Sequence, residues 1–498
     1  MNTVVSPCRR PRRGGCKRYP SLFALAAMVG ALSLPTAPQA RQNSVQGALS
    51  LGNTYDSNVF RSDKVREDEW KSLVAPQLSF ASKGLTDNLS LTYAPTYSYN
   101  HRRQDDEQTQ ALSFQGDKGL SSRWKVTMSG NYAAVDNLFF EADTNLGVTQ
   151  NFLRADSATQ AEIVRILFPE LVWDPVRDMG AVISQLQSRY DAFPAAQGTV
   201  RALLFQGADG ARQQYWNSQV LLSSVYEFAE KSSLVLGYRL TSLDNKTGIV
   251  ADRLGHSPSA LLTYQFNQQW KAALGYDLSF DAYDTTPDST TNHPHLQVDY
   301  QLSPKNLLFW NYDYQKVTYD GVSNDTTSQG SHIGWNYGFD PRTSFTTTVG
   351  TTYLGREVGP DEREYTLDLG VTRTMDRGSV GLRAHGMKAV ASVADSWDKS
   401  RQSWELSSDL TYQLLRDLSS TGRVSYGQWD SWGIAGLSTS PYDRLQLGAG
   451  VRYLFKQWFT LSLNYDYNLF DTESAILDDY TEHLITLNLA GAKELWRW

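Results

Sequence analysis

The sequence predicts an all-β fold: a transmembrane antiparallel up-and-down β-barrel of about 20 strands, or about 18 if one weak pair merges, carrying a helical extracellular insertion. Three observations lead there. Apolar and polar residues alternate with period two along most of the chain, so one face of each segment meets something apolar and the other something polar. The alternating runs are about ten residues long, which a tilted strand needs to cross a bilayer. The connections between them alternate between short and long, the parity of an outer-membrane barrel and one that a soluble sandwich has no reason to keep.

The N-terminus comes first. Arg9, Arg10, Arg12, Arg13, Lys17 and Arg18 precede the apolar run Leu22–Leu34, and "PTAPQA" follows, ending at Ala40. Basic segment, short apolar segment and small-residue region match a secretory signal peptide, expected over residues 1–40, with the barrel over 41–498. The apolar run is too short to span a bilayer as a helix. Cys8 and Cys16, the chain's 2 cysteines, both fall in this leader. Its removal excludes a disulfide framework, a thiolate metal site and a thiol nucleophile.

The strands follow. "VQGALSL" places Val45, Gly47, Leu49 and Leu51 on one face. In "NLSLTYAPTYSY", Leu89, Leu91, Tyr93, Tyr97 and Tyr99 oppose Ser90, Thr92, Thr96 and Ser98. In "WKAALGYDLSF", Trp270, Leu274, Tyr276 and Phe280 oppose Lys271, Asp277 and Ser279, and "FTLSLNYDYNL" repeats the pattern from Phe459 to Leu469. Apolar faces that begin or end in Tyr, Trp or Phe suit aromatic girdles at the two lipid–water interfaces. Strands are expected to begin near positions 44, 72, 88, 109, 123, 215, 233, 258, 270, 293, 307, 331, 343, 364, 378, 402, 418, 443, 458 and 482. An even number returns both termini to the periplasmic side. Tight connections such as "AEKSS" (229–233), "SPKN" (303–306) and "KQ" (456–457) alternate with long polar ones such as "NHRRQDDEQ" (100–108), "LDNKTGIVADRLGH" (243–256), "DTTPDSTTN" (284–292) and "VASVADSWDKS" (390–400).

Alternation stops between Tyr132 and Tyr215, so residues 133–213 are expected to form the insertion. Ser157 with Gln160 opens a helix as a capping box, with Ile163, Val164, Ile166 and Leu167 at helical spacing. Asp174 and Pro175 open a second as N-cap and first helical residue. Parity puts the insertion on the extracellular side, as a cap over the mouth or folded into the lumen. At the C-terminus Ile485, Leu487 and Leu489 share the lipid face and Trp498 supplies the terminal aromatic residue, although "AGAKELWRW" breaks the alternation.

Chemistry is sparse. The net charge of -7 argues against a nucleic-acid partner. Asp56, Ser57 and Asn58 are three oxygen-bearing residues in a row, but the glycine and distal glutamate of a calcium loop are missing, and in a strand the three do not converge. Asp56 and Asn58 are expected to turn toward the pore mouth. None of His101, His256, His293, His295, His332, His385 and His483 sits in a nucleophile motif, so no catalytic residue, no metal and no cofactor are expected, and the chain reads as no enzyme. His293 and His295, two apart on one face, are a possible metal pair but favour a polar rim role.

The alternation rule directs Asp277, Asp281, Asp299, Asp313, Asp368, Glu405, Asp409 and Asp466 into the lumen, with Arg239, Lys271, Arg383, Arg423, Arg444 and Arg452. Mixed charge suits a wetted pore whose field sets preference, and equally suits an interior cross-linked by ion pairs.

"GNTYDSNVF" at the end of the first strand, the later "LTYAPTYSYN" and the repeated Y-x-Y strand ends resemble the β-barrel porins of Gram-negative outer membranes associated with exopolysaccharide and capsule systems. The resemblance implies an outer-membrane channel assisting polysaccharide export. Its partners would be outer-membrane lipid, the polysaccharide chain, periplasmic and inner-membrane secretion components and the barrel-assembly machinery. The alternatives are a general diffusion porin for small solutes and a surface enzyme or adhesin built on the barrel. The first strand starts almost directly after the leader, which disfavours an active transporter with a plug.

Overall fold

A computed structural model gives the architecture. It describes residues 41–498 except 60–65, 67, 103, 139–151, 153–162, 169–181, 183–185, 187–188, 190–211, 247–251, 285–286, 322–324, 358–360, 394–395, 430–441 and 473–478. The expected leader, residues 1–40, lies outside the described residues.

Twenty strands form one sheet, in chain order β1 (Gln42–Asp56), β2 (Glu69–Lys83), β3 (Asp87–Asn100), β4 (Asp105–Ser121), β5 (Trp124–Leu138), β6 (Arg212–Ala229), β7 (Ser232–Asn245), β8 (Arg253–Gln265), β9 (Trp270–Tyr283), β10 (Ser289–Ser303), β11 (Asn306–Tyr319), β12 (Thr326–Asp340), β13 (Thr343–Arg356), β14 (Glu362–Met375), β15 (Gly378–Val393), β16 (Ser396–Leu415), β17 (Leu418–Trp429), β18 (Tyr442–Phe455), β19 (Phe459–Thr472) and β20 (Tyr480–Arg497). Every strand pairs antiparallel with its neighbours in sequence, and β1 also pairs with β20, so the sheet closes and has no edge. That closure satisfies the backbone hydrogen bonds a bilayer leaves without water. No described helix is long and apolar enough to cross a membrane; this barrel crosses with strands.

The expected twenty strands are all present, but they are longer than ten residues, from 12 in β17 to 20 in β16. The difference lies at the long-connection end. β8 begins at Arg253, β12 at Thr326 and β16 at Ser396, each before the onset of apolar alternation. Two expected long loops are largely strand: β3 runs to Asn100 and β4 resumes at Asp105, while Val393 already pairs with Ser396. Polar side chains mark where a strand leaves the apolar band, and backbone pairing continues past that point.

The apolar face carries large exposed side chains, including Leu51, Leu274, Ile333, Val349, Leu367, Leu406, Leu463 and Leu487. Aromatic residues ring its two ends. Trp124, Tyr226, Trp270, Tyr300 and Phe459 sit by the short turns, where the Trp270 and Tyr300 rings are 4.5 Å apart; Tyr55 and Trp70 meet edge-on at 6.2 Å at the other end. This places the protein in an outer membrane, where the Tyr and Trp rings suit the headgroup level. Lys456 and Gln457 both adopt positive φ, 51° and 61°, the left-handed conformation that a tight hairpin between twisted strands needs.

The broken alternation near the C-terminus has a local cause. Gln46 pairs with Glu494 and Val45 with Trp496, so Leu495 is an extra residue in a β-bulge. Beyond it Trp498 and Asn43 exchange backbone hydrogen bonds of 2.7 and 3.0 Å, which completes the seam.

Strands β5 and β6 reach Leu138 and Arg212, so the ends of the segment expected as insertion, 133–138 and 212–213, are strand. Most of the remainder lies outside the described residues. The described ones include helical residues at 163–167, where Ile163, Val164 and Leu167 are fully buried, and helical Val182 and Leu186, also buried. Arg189 lies over the Phe168 ring at 5.3 Å. These form most of the buried apolar core among the described residues, because the barrel itself turns its apolar face outward.

Candidate functional site

The polar face of the sheet, opposite the apolar band, holds the titratable residues. Strand pairing puts all fourteen sequence-selected charged residues on it, because residues directly opposite across an antiparallel pair share a face.

Its most organised part is a belt of Asp and His midway along β9 to β15. Asp277 on β9 stands opposite His293 on β10, and His295 stands between Gly275 of β9 and Asp313 of β11. His332 on β12 stands opposite Gly350 on β13, and Asp368 on β14 opposite His385 on β15, which in turn faces Glu405 on β16. Nδ1 of His293 and of His295 lie 3.4 and 3.5 Å from the same Asp277 oxygen, Oδ2. His332 Nδ1 is 3.9 Å from Asp313 Oδ1. Asp368 Oδ1 is 2.9 Å from His385 Nδ1 and accepts a hydrogen bond from Arg383 Nη2 at 3.0 Å.

Glycine makes room for the belt. A Cβ at Gly275 would collide with the His295 ring, one at Gly350 with His332, one at Gly330 with the Asp313 carboxylate, and one at Gly334 with the Phe309 ring. Each large side chain therefore lies flat across a strand that offers no side chain of its own. Such cross-strand pairs depend on register, and no single strand's alternation reveals them.

The remaining charges divide. Arg253 donates from Nε and Nη2 to Asp281 Oδ1 at 2.9 and 2.8 Å, and Arg423 donates to Asp409 at 3.0 Å. Asp299 accepts from Gln297 at 2.7 Å and stands opposite Lys271. Among the described residues, Arg239, Lys271, Arg444, Arg452, Glu405 and Asp466 form no ion pair. Ion-pair cross-links and unpaired charge thus coexist. At these exposures each pair contributes about 0–1 kcal/mol, too little to decide the fold.

Across the barrel, β3 to β6 present a neutral recess of about 420 Å³ whose lining includes Ser90, Thr92, Ser113, Gln115, Asn131 and Gln219. It holds hydroxyls and amides and no charge.

The "YDSNVF" stretch proves structural. Asp56 Oδ1 accepts from the Asn58 backbone N–H at 2.8 Å, closing an Asx turn. Ser57 N–H donates to the His483 carbonyl at 3.0 Å, and Ser57 Oγ accepts from His483 N–H at 2.8 Å. Asn58 is fully buried, the chain bends at Ser57, and the Asn58 amide donates to the Thr481 carbonyl at 3.0 Å, tying the end of β1 to β20.

No protein-family model matches the chain, and no curated protein does. Among solved structures the chain is similar to the siderophore receptor PirA from Pseudomonas aeruginosa, at TM-score 0.50 and 8% identity over 90% of this chain and 80% of that one. It is similar to PirA from Acinetobacter baumannii at TM-score 0.50 and 8% identity, over 92% and 81% of the two chains. A ferric enterobactin receptor (PfeA) from Pseudomonas aeruginosa, in complex with enterobactin, matches at TM-score 0.52 and 9% identity over 90% and 81%. These likenesses show the fold: an outer-membrane barrel shared with receptors. They overturn the expected polysaccharide-export channel and the diffusion porin, and with them the polysaccharide chain, small solutes and secretion components as partners. The expectation erred because alternation and Tyr-rich strand ends answer the bilayer, which makes the same demand of every barrel whatever it carries.

Proposed function

We propose that this chain is an outer-membrane receptor barrel for a ferric siderophore, a transport protein and not an enzyme, exported by a cleaved leader in residues 1–40. The observation that carries the reading is the closed twenty-stranded barrel, matched over nine-tenths of the chain by siderophore receptors. In this reading the polar face lines the interior. Asp277, Asp281, Asp299, Asp313, Asp368, Glu405, Asp409 and Asp466, with Arg239, Lys271, Arg383, Arg423, Arg444 and Arg452, set its field. The unpaired Arg239, Lys271, Arg444 and Arg452 supply the positive charge that an anionic iron chelate requires. The helical segment between β5 and β6 caps the extracellular mouth.

The test is titration of the purified full-length protein with ferric enterobactin, read by quenching of its 14 tryptophans, together with iron uptake by iron-starved cells with and without the gene. Saturable quenching and gene-dependent uptake support the reading. Absence of both overturns it for this siderophore class.

A further inference from the structure

We propose that Asp277, His293 and His295 form a binding site for a divalent transition-metal ion of the zinc type on the polar wall of the barrel. Its three residues are in place whichever ligand the barrel takes.

One carboxylate and two imidazoles each offer a ligand atom, and these atoms lie within 4.8 Å of one another. The separations discriminate between two arrangements. A hydrogen bond from an imidazolium to a carboxylate brings N and O to about 2.7–2.9 Å. Here both Nδ1 atoms stand off the same oxygen, at 3.4 and 3.5 Å. Two ligands on one tetrahedral zinc, with bonds of about 2.0–2.1 Å, lie about 3.3–3.4 Å apart, the edge of the coordination tetrahedron. The spacing is that of ligands around an ion.

A second observation points the same way. His295 Nδ1 is shielded from solvent and makes no hydrogen bond. A buried imidazole nitrogen without a partner is costly, and coordination of an ion supplies what is missing. The two rings tilt at 34° with centroids 5.2 Å apart, and each places its Nδ1 near the same Asp277 oxygen.

The fold places all three. His293 and His295 are two apart on one strand, so they share a face; Asp277 is brought opposite His293 by the β9–β10 register. Gly275 lets the His295 ring lie against the wall. Two histidines and one carboxylate suit zinc, nickel or copper better than calcium or magnesium, which take oxygen ligands. Three protein ligands leave a fourth position open to water or to a passing ligand atom.

The experiment is calorimetric titration of the full-length protein in detergent with Zn²⁺, for the wild type, D277N, H293A, H295A and G275A, with H101A, which lies in the turn after β3, as control. All are first checked for the heat-modifiable gel migration of a folded barrel. The expected result is one ion per chain for the wild type and H101A, and weakening of about 10-fold or more in each of the other four, including G275A, which removes no ligand. A wild type that binds no Zn²⁺, or ligand variants that bind as it does, overturns the proposal. Should the variants fail to fold, Co²⁺ added to the wild type decides: visible d–d bands of a low-symmetry site support it, and the spectrum of the hydrated ion alone overturns it.

Discussion

Asn58 donates from its side-chain Nδ2 to the backbone carbonyl of Thr481 at 3.0 Å, across the seam where the first strand meets the last. It is fully buried, and the Asx turn at Asp56 aims it. Truncation removes this hydrogen bond from a fully buried side chain at the seam, so Asn58→Ala is expected to destabilise the barrel by about 1 kcal/mol. Thermal unfolding followed by heat-modifiable migration checks it, with hydrogen exchange expected to quicken first at the β1–β20 end.

The Phe309 ring occupies the space above Gly334 on the neighbouring strand. Gly334→Ala forces the ring off and is expected to cost about 1–3 kcal/mol. Phe309→Ala in the same chain removes the collision. A double-mutant cycle on unfolding midpoints is expected to show strong coupling between the two, whereas additive effects would mean the ring does not rest there.

Leu274 and Ala273 are neighbours on β9 with opposite faces. Leu274→Arg puts charge on the apolar face at mid-strand and is expected to cost about 2–4 kcal/mol and to lower assembled protein in the outer membrane. Ala273→Arg, on the polar face, is expected to assemble at close to the wild-type level. Quantifying folded barrel in membrane fractions distinguishes them.

Asp361 sits in the β13–β14 connection, outside the strands. The Tyr353 hydroxyl donates to its Oδ2 at 2.7 Å and the Arg356 backbone N–H to its Oδ1 at 3.1 Å. These bonds, the tyrosine's first and then the backbone's, hold its carboxyl below the ordinary carboxylate value. A depressed pKa means the contribution is present above the unfolded-state value and is lost as pH falls through the folded one. Protection against hydrogen exchange at 354–357 and 361–362, taken relative to the intrinsic rate at each pH, is therefore expected to be flat above pH about 5 and to fall below pH about 4, and Tyr353→Phe is expected to move that fall to higher pH.

Much of this architecture was legible from the chain because the bilayer imposes period two on every strand: Leu274, Tyr276 and Phe280 against Lys271 and Asp277 declare both faces of β9. The true starts of β8, β12 and β16 were not legible, since pairing above the membrane needs no apolar residue. Nor was the Leu495 bulge, which exists only in the register of β20 against β1. The belt was half legible. Each Asp and His could be assigned a face, but that His295 lies over Gly275 and shares Asp277 with His293 follows from strand-to-strand register, which alternation leaves open. Cargo was not legible at all, because the residues that mark a barrel are those that meet lipid.

The closed barrel turns its apolar face to lipid and its Asp/His face to water. Spin labels placed singly at each position from Lys271 to Tyr283, with the protein in bilayers, test it most directly. Accessibility to oxygen is expected to peak at even positions, 274, 276, 278 and 280, and accessibility to a water-soluble nickel chelate at odd ones, 273, 275, 277 and 279. Accessibility without period two, or with the phases exchanged, would contradict it.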